Sequence, residues 1–159
     1  MRITLRRDLN PSADFYYHQQ FKIYYEPYLI WDRDTWDSIL AACDTYRIEV
    51  TGKYAGDVIL GGRGKGSMYI VDFSILPEYQ GKGVGKAVLE KVKNMESRLS
   101  AVTRKETLNF FLKSGFVLKR TIRDYYDPGV DGHYFIFVND SRRMKQGRKL
   151  GVTGSSASS

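Results

Sequence analysis

Between Met68 and Met95 the chain runs from its most hydrophobic stretch, past a proline, across three glycines in five residues and into an amphipathic segment. Met68-Tyr69-Ile70-Val71-Asp72-Phe73-Ser74-Ile75-Leu76 reads as a central strand, because apolar residues at odd and even positions need cover on both faces. Pro77 cannot donate to a ladder, so the strand ends in a turn. Beyond Glu78-Tyr79-Gln80, Gly81, Gly83 and Gly85 let backbone amides converge with no Cβ in the way. Val84, Ala87, Val88, Val92 and Met95 then recur at helical spacing. The helix start adds unpaired N–H groups and the positive end of its dipole. This strand, loop and helix make an anion site, and Lys82 and Lys86 add charge that suits a pyrophosphate better than a carboxylate.

Two nucleotide patterns fail here. A nucleoside-triphosphate loop needs four residues between its glycines, yet Gly81 and Gly85 bracket three, and Ala87 stands where a magnesium-binding hydroxyl belongs. A dinucleotide fingerprint needs a third glycine where Lys86 stands, and the strands before it read as antiparallel.

Those strands are Arg47 to Thr51, Ala55 to Gly62 and Ser67 to Leu76, separated by Gly52-Lys53 and a glycine-rich turn, a pattern of adjacent hairpins. Upstream, Ile3 to Arg7 reads as a strand and Pro11-Ser12-Ala13-Asp14 opens a helix capped by Asn10 or Ser12. Phe15 to Trp36 is dense in aromatics, which pack over a sheet or form a substrate wall. Asp34 or Asp32 caps a second helix carrying Trp36, Ile39, Leu40 and Cys43 at helical spacing, so Cys43 reads as core. Downstream come a strand Leu99 to Thr103, a helix Lys105 to Lys113 closed by Gly115, a strand Phe116 to Ile122, the turn Asp127-Pro128-Gly129 and a last strand His133 to Val138.

Composition bounds the rest. With 42% hydrophobic residues in 159, the chain supports one domain with a real core, set at residues 1–140. Formal charge is +7, but Arg142, Arg143, Lys145, Arg148 and Lys149 account for five of it and leave +2 for the body. Residues 141–159 read as a basic, then Gly/Ser-rich, disordered tail that admits a nucleic-acid partner without favouring one. One cysteine makes no disulfide, and two distant histidines give no metal site, so no metal is expected. The first eight residues make no signal peptide and no run is long enough to span a membrane; a reducing cytoplasm is the simplest compartment.

Phe73-Ser74-Ile75-Leu76-Pro77-Glu78-Tyr79-Gln80-Gly81-Lys82-Gly83-Val84-Gly85-Lys86 resembles the acetyl-coenzyme A motif of the GNAT acyltransferase superfamily, a strand followed by Gln/Arg-x-x-Gly-x-Gly/Ala. Leu112-Lys113-Ser114-Gly115-Phe116 resembles the family's later helix and its Gly-Phe. The resemblance implies an α/β (α+β) fold, a mixed, mostly antiparallel sheet flanked by helices. It also implies acetyl-coenzyme A as co-substrate and an amine-bearing acceptor. Gln80 through Gly85 would give amides to the pyrophosphate, with Lys86 beside them, while Phe73, Ser74 and Ile75 form the strand whose main chain, at Phe73 and Ile75, pairs with the pantetheine and the thioester carbonyl.

The chain departs from the family at three polar positions. Phe111 replaces a proton-donating tyrosine, Arg104 replaces an asparagine, and Tyr69 stands where a carboxylate base is sometimes found. Asp72, an acid in an apolar strand, is the candidate base or a structural acid; burial would raise its pKa. Tyr125 and Tyr126, within Arg123-Asp124-Tyr125-Tyr126-Asp127, are the catalytic candidates for protonating the leaving sulfur; the segment resembles the Tyr-Tyr segment of protein N-terminal acetyltransferases, where tyrosines shape the peptide slot, or the two simply pack. His133 is a base by chemistry and more often a structural histidine. An α-amine of pKa near ~8 offers on the order of a tenth in reactive form at neutral pH, far more than a lysine near ~10.4. That favours a peptide N-terminus as acceptor, ahead of a non-catalytic binding protein or an acetyltransferase of aminoacyl-tRNA.

Overall fold

Short apolar runs joined by tight turns build the first half of the sheet. In the computed structural model, which describes residues 1–62, 64 and 66–140, β1 (Ile3–Arg7), β2 (Asp44–Val50), β3 (Lys53–Gly62) and β4 (Ser67–Ile75) pair antiparallel in that order. Between β1 and β2 come α1 (Ala13–Gln20) and α2 (Arg33–Ala42). Of the alternative caps, the structure uses Ser12, which accepts from Phe15 N at 3.2 Å, and Asp32, which accepts from Thr35 N at 2.7 Å. Cys43 caps the end of α2, half-buried, and burial raises its thiol pKa.

The second half crosses over. From β4 the chain passes a 3-10 turn, Pro77–Tyr79, into α3 (Val84–Lys93) and returns as β5 (Arg98–Thr103) parallel to β4. Then come α4 (Leu108–Lys113), β6 (Val117–Asp127) and β7 (Val130–Val138). β7 inserts between β5 and β6, giving the order β1-β2-β3-β4-β5-β7-β6 with the β4–β5 pair parallel and its neighbours antiparallel. The mixed, mostly antiparallel sheet flanked by helices is the architecture the sequence implied.

Strand alternation sorts the core into two layers. Ile59 turns toward Tyr16, Trp36 and Leu40 of α1 and α2. Val58 and Leu60 turn the other way, toward Val84, Val88, Leu89 and Val92 of α3 and toward Phe111. Burying each of those α3 side chains stabilises by roughly 1.5–3 kcal/mol, which fixes the helix start against the sheet.

Several boundaries differ from the sequence expectation. β2 begins at Asp44 rather than Arg47, because pairing with β3 carries it on to Leu60. The helix expected over 105–113 divides into a 3-10 turn, Lys105–Thr107, and α4. The strand expected to stop at Ile122 runs to Asp127, so Tyr125 and Tyr126 lie within β6 rather than after it. The basic and Gly/Ser-rich tail lies outside the described residues.

Two irregularities shape β4. At Gly56 an added Cβ would stand 2.0 Å from Ser74 O, so only glycine permits β3 and β4 to approach there. Ile59 pairs with Asp72 and Leu60 with Ile70, which leaves Val71 as an extra residue, a bulge that bends β4. The β4–β5 ladder covers only Ser67–Ile70 against Arg98–Ala101. Beyond it the two strands part.

Candidate active site

The parting of β4 and β5 opens a cavity of about 850 Å³. Leu76 N donates to Ala55 O of β3 at 2.8 Å, so by alternation the N–H and C=O groups of Phe73 and Ile75 face the opposite, open edge. Gln80 Nε2 donates to Ile75 O at 2.8 Å, which leaves the Ile75 N–H as the donor on that edge. Ser74 is the exception in this trio. It is part of the cavity lining, and its hydroxyl turns to the other face and donates to Asp57 Oδ2 at 3.0 Å.

The glycine loop lies at one end of the cavity, where Gly81, Gly83, Gly85 and Lys86 line the wall. Gly81 and Gly83 hold φ of +71° and +81°, left-handed values that glycine adopts without strain, and open space lies where their Cβ atoms would be. Gly85 instead packs against the Phe110 ring, 3.5 Å from where a Cβ would stand. Gln80 N–H already donates to Pro77 O at 3.1 Å, so the amides left to converge are those of the glycine loop and of the first turn of α3. Val84 offers only its amide, since its side chain is buried in the core. Lys82 lies outside the cavity lining while Lys86 is part of it. Open space over two left-handed glycines, unpaired amides and a cation fit a pyrophosphate.

At the other end, the segment between α1 and α2 closes the cavity with Ile23, Tyr24, Tyr28 and Trp31. Gln20 pins that segment: its Nε2 donates to Trp31 O at 2.7 Å and its Oε1 accepts from Trp31 N at 2.9 Å. Tyr24 OH donates to Asp72 Oδ1 at 3.3 Å, fastening the segment to β4. The aromatic run divides: Tyr16 and Trp36 are buried in the core, and Tyr24, Tyr28 and Trp31 join Trp36 in the cavity lining.

Tyr125 and Tyr126 both line the cavity, which neighbours on a regular strand cannot do. The cause is Asp124, whose φ of +54° breaks the alternation between the Ile122–Gly132 and Asp127–Val130 pairs. Its carboxylate accepts from Gly129 N at 2.7 Å, and its own N–H donates to Asp131 Oδ1 at 3.0 Å. Gly132 leaves room for the ring above it, since a Cβ there would lie 2.8 Å from Tyr125 Cγ. Tyr126 OH donates to Val102 O at 3.1 Å; burial first, then Tyr125, pushes its pKa up to about 12.

The departures from the family pattern resolve into distinct roles. Phe111 is buried, stacked on Phe135 at 5.8 Å. Arg104 lines the cavity between Tyr24 and Tyr126, its guanidinium 6.0 Å from the Tyr24 ring centre and 3.9 Å from Glu26. His133 stands outside the lining, with Thr121 Oγ1 3.2 Å from its Nδ1. Asp72 lies in the cavity wall, and burial raises its pKa. Behind it is a second acid, Asp57, 3% exposed, which the sequence reading passed over. An acid alone in the apolar run from Ala55 to Leu60 was the signal available.

Residues 39–118, half of the chain, match the profile of the acetyltransferase (GNAT) domain. The fold recurs in solved structures. The ribosomal-protein-S18-alanine N-acetyltransferase from Escherichia coli superposes with a TM-score of 0.73 at 19% identity, covering 86% of this chain and 94% of that one. A GNAT family acetyltransferase from Elizabethkingia anophelis with acetyl-CoA bound gives 0.66 at 15% identity, over 86% and 98% of the two chains. The spermidine/spermine N-acetyltransferase from Vibrio cholerae gives 0.69 at 14%, over 91% and 99%. No curated protein matches the sequence. A glycine loop on a helix start beside a split parallel pair, together with the profile match, defines the class: the chain belongs to the GNAT superfamily and is an N-acetyltransferase. Members of this family use acetyl-coenzyme A. Among the described residues no group of three or more acids, histidines or cysteines is placed to hold a metal, and no helix is long and apolar enough to cross a membrane.

Proposed function

We propose that the protein transfers the acetyl group of acetyl-coenzyme A to the free α-amine of a peptide or protein, by direct attack with both substrates bound. The observation that carries this is the Asp124 bulge. It brings Tyr125 and Tyr126 together into a lining that also holds Tyr24, Tyr28 and Asp72, with the Tyr28 and Tyr126 ring centres 6.5 Å apart and Tyr24 OH on Asp72, a tyrosine-lined slot with a carboxyl in its wall. Such a slot takes an extended backbone end-on and brings its terminal amine to the carboxylate.

Bound acetyl-coenzyme A supplies a thioester carbonyl as the electrophile. The Gly81–Gly85 loop and Lys86 hold its pyrophosphate, and the Phe73–Ile75 edge, with Ser74 behind it, holds the pantetheine. The Ile75 N–H, aimed at the open edge, gives the oxyanion donor. Asp72 takes a proton from the acceptor amine, and an α-amine needs the least such help. As the carbon–sulfur bond breaks, the second proton lost by the acceptor nitrogen goes to the departing coenzyme A sulfur, while Tyr126, whose pKa of about 12 keeps it protonated at neutral pH, holds its place through Val102 O.

The test is a three-way acceptor comparison with acetyl-coenzyme A. One arm is a short peptide with a free N-terminus, the second the same peptide blocked at its N-terminus and carrying a lysine, and the third spermidine. Mass spectrometry should place the acetyl group on the free α-amine. Faster transfer to the lysine or to spermidine refutes the acceptor assignment. Cofactor binding without transfer to any amine makes the protein a binding component instead.

A further inference from the structure

Asp57 and Asp72 stand on adjacent strands, partnered by backbone register with Ser74 and Ile59, so both point to the same face of the sheet. Hydroxyls surround them. Ser74 Oγ donates to Asp57 Oδ2 at 3.0 Å, Tyr54 OH to the same oxygen at 3.5 Å, and Tyr24 OH to Asp72 Oδ1 at 3.3 Å. The two carboxyls occupy diagonal positions on that face, close enough that the charge of Asp72 raises the pKa of Asp57, and neighbouring acids in a buried site do not readily both ionise. Asp57 Oδ1 is buried and has no hydrogen-bonding partner among the described groups, a position where a neutral carboxyl costs less than an ionised one. The positions differ too: Asp57 is 3% exposed behind the strand, while Asp72 borders the cavity.

We infer that Asp57 and Asp72 work as one carboxyl pair, in which Asp57 keeps a proton and points it at Asp72, and Asp72 is the carboxylate that relieves the acceptor ammonium of its proton. This rests on the N-acetyltransferase reading and adds Asp57 to it as a positioning residue. In the step, one ammonium N–H bond breaks and its electron pair stays on nitrogen as the nucleophile. The proton forms an O–H bond on Asp72. The pair passes from one proton and one negative charge to two protons and none.

The surroundings support this division. Burial first, then the charge and hydrogen bond of Asp72, push Asp57 well above the usual carboxylate range. Burial raises Asp72 as well, but the Asp57 hydrogen bond, then Tyr24 and then the Phe73 N–H work against it. The groups facing the pair from neighbouring elements are Tyr16, Tyr24 and Tyr54, all pushed upward chiefly by burial, and two cations. Those cations lie over aromatic rings, Arg47 5.0 Å from the Tyr54 ring centre and Arg104 6.0 Å from that of Tyr24. Among the described residues neither forms an ion pair with the acids, so the pair's own shared proton limits its charge.

Two readouts test this. Carboxyl-carbon NMR of the aspartate-labelled protein at pH 7 should show Asp57 protonated and Asp72 ionised, with no turnover required. In kinetics with acetyl-coenzyme A and a free-N-terminus peptide, Asp57→Val should lower kcat about a hundredfold and move the acid limb of the pH profile upward, the scale of a lost general base. Asp57→Asn, whose amide still donates to Asp72, should recover all but about tenfold. Asp57→Asn as damaged as Asp57→Val, with both folded by circular dichroism, overturns the proposal, and so does an unchanged pH profile in Asp57→Val. Turnover with both carboxyls ionised at pH 7 overturns the pair alone. A protonated Asp57 with no amine acetylated overturns its catalytic use together with the acetyltransferase reading.

Discussion

Gly83 lets the phosphate assignment be separated from the fold. It caps α3 at φ +81°, ψ +4°, and nothing lies within 4 Å of where its Cβ would be. Gly83→Ala and Gly83→Glu therefore both incur left-handed strain of about 1–2 kcal/mol and neither meets a clash. At a helix start the glutamate gains about 0.3–1 kcal/mol from the dipole, so the Glu variant should unfold at the same temperature as the Ala variant or slightly above it. Binding should run the other way. A carboxylate about 5 Å from a phosphate, at an effective dielectric constant near 20, opposes each phosphate charge by about 3 kcal/mol, or roughly a hundredfold in affinity. Titration calorimetry with acetyl-coenzyme A should give a Kd for Gly83→Ala within about tenfold of the parent, the strain falling mainly on stability. For Gly83→Glu the Kd should weaken more than about a hundredfold, part of it returning at high salt. Equal affinities for the two variants would show that no phosphate sits over this loop.

Three further outcomes are expected. Gly56→Ala forces a Cβ to 2.0 Å from Ser74 O, so β3 and β4 must separate; thermal unfolding should show a loss of at least about 3 kcal/mol, and an unchanged midpoint would contradict the close approach. Asp124→Ala loses the bond from Gly129 N and strains the bulge, which should raise the acceptor KM and leave the acetyl-coenzyme A Kd alone, whereas Asp124→Gly, at ease at φ +54°, should raise it less. The raised pKa of Asp57 means the folded state holds its proton more tightly than the unfolded state, so stability falls as pH rises above the ordinary carboxylate value of about 4. Asp57→Asn removes that loss, and chemical denaturation should find it more stable than the parent at pH 7, with an advantage that shrinks toward pH 4.

What the sequence made legible was local. The run into Pro77, the glycines after it and the helical spacing from Val84 to Val92 concern residues close in the chain, and each acts through its own backbone. The hairpins were visible for the same reason, read from Arg47 to Leu76 where the structure has them from Asp44 to Ile75. The pairing of β4 with β5 and the insertion of β7 beside β5 were not, because register between distant strands is decided by packing that no short window contains. The site shows the same division. Glycine spacing disclosed the phosphate end. Tyr125 and Tyr126 came forward only through a resemblance, since strand alternation sends one of them away until Asp124 breaks it. Asp57 went unremarked because one acid in Ala55 to Leu60 means little until the chain returns fifteen to seventeen residues later with Asp72 and Ser74 against it.

The four-residue ladder between β4 and β5 has a mechanical meaning. It is the sheet's seam between β1–β4 and β5–β7, and it gives out where the Val71 bulge begins. A ligand seated in the fork with its own amides against Phe73 and Ile75 serves as a missing rung, knitting the two arms together over the length the protein leaves unjoined. Catalytic readiness and the cooperativity of unfolding then share one origin. Amide exchange along β4 past Ile70 is where both are recorded, fast in the open fork and slow once it is bridged.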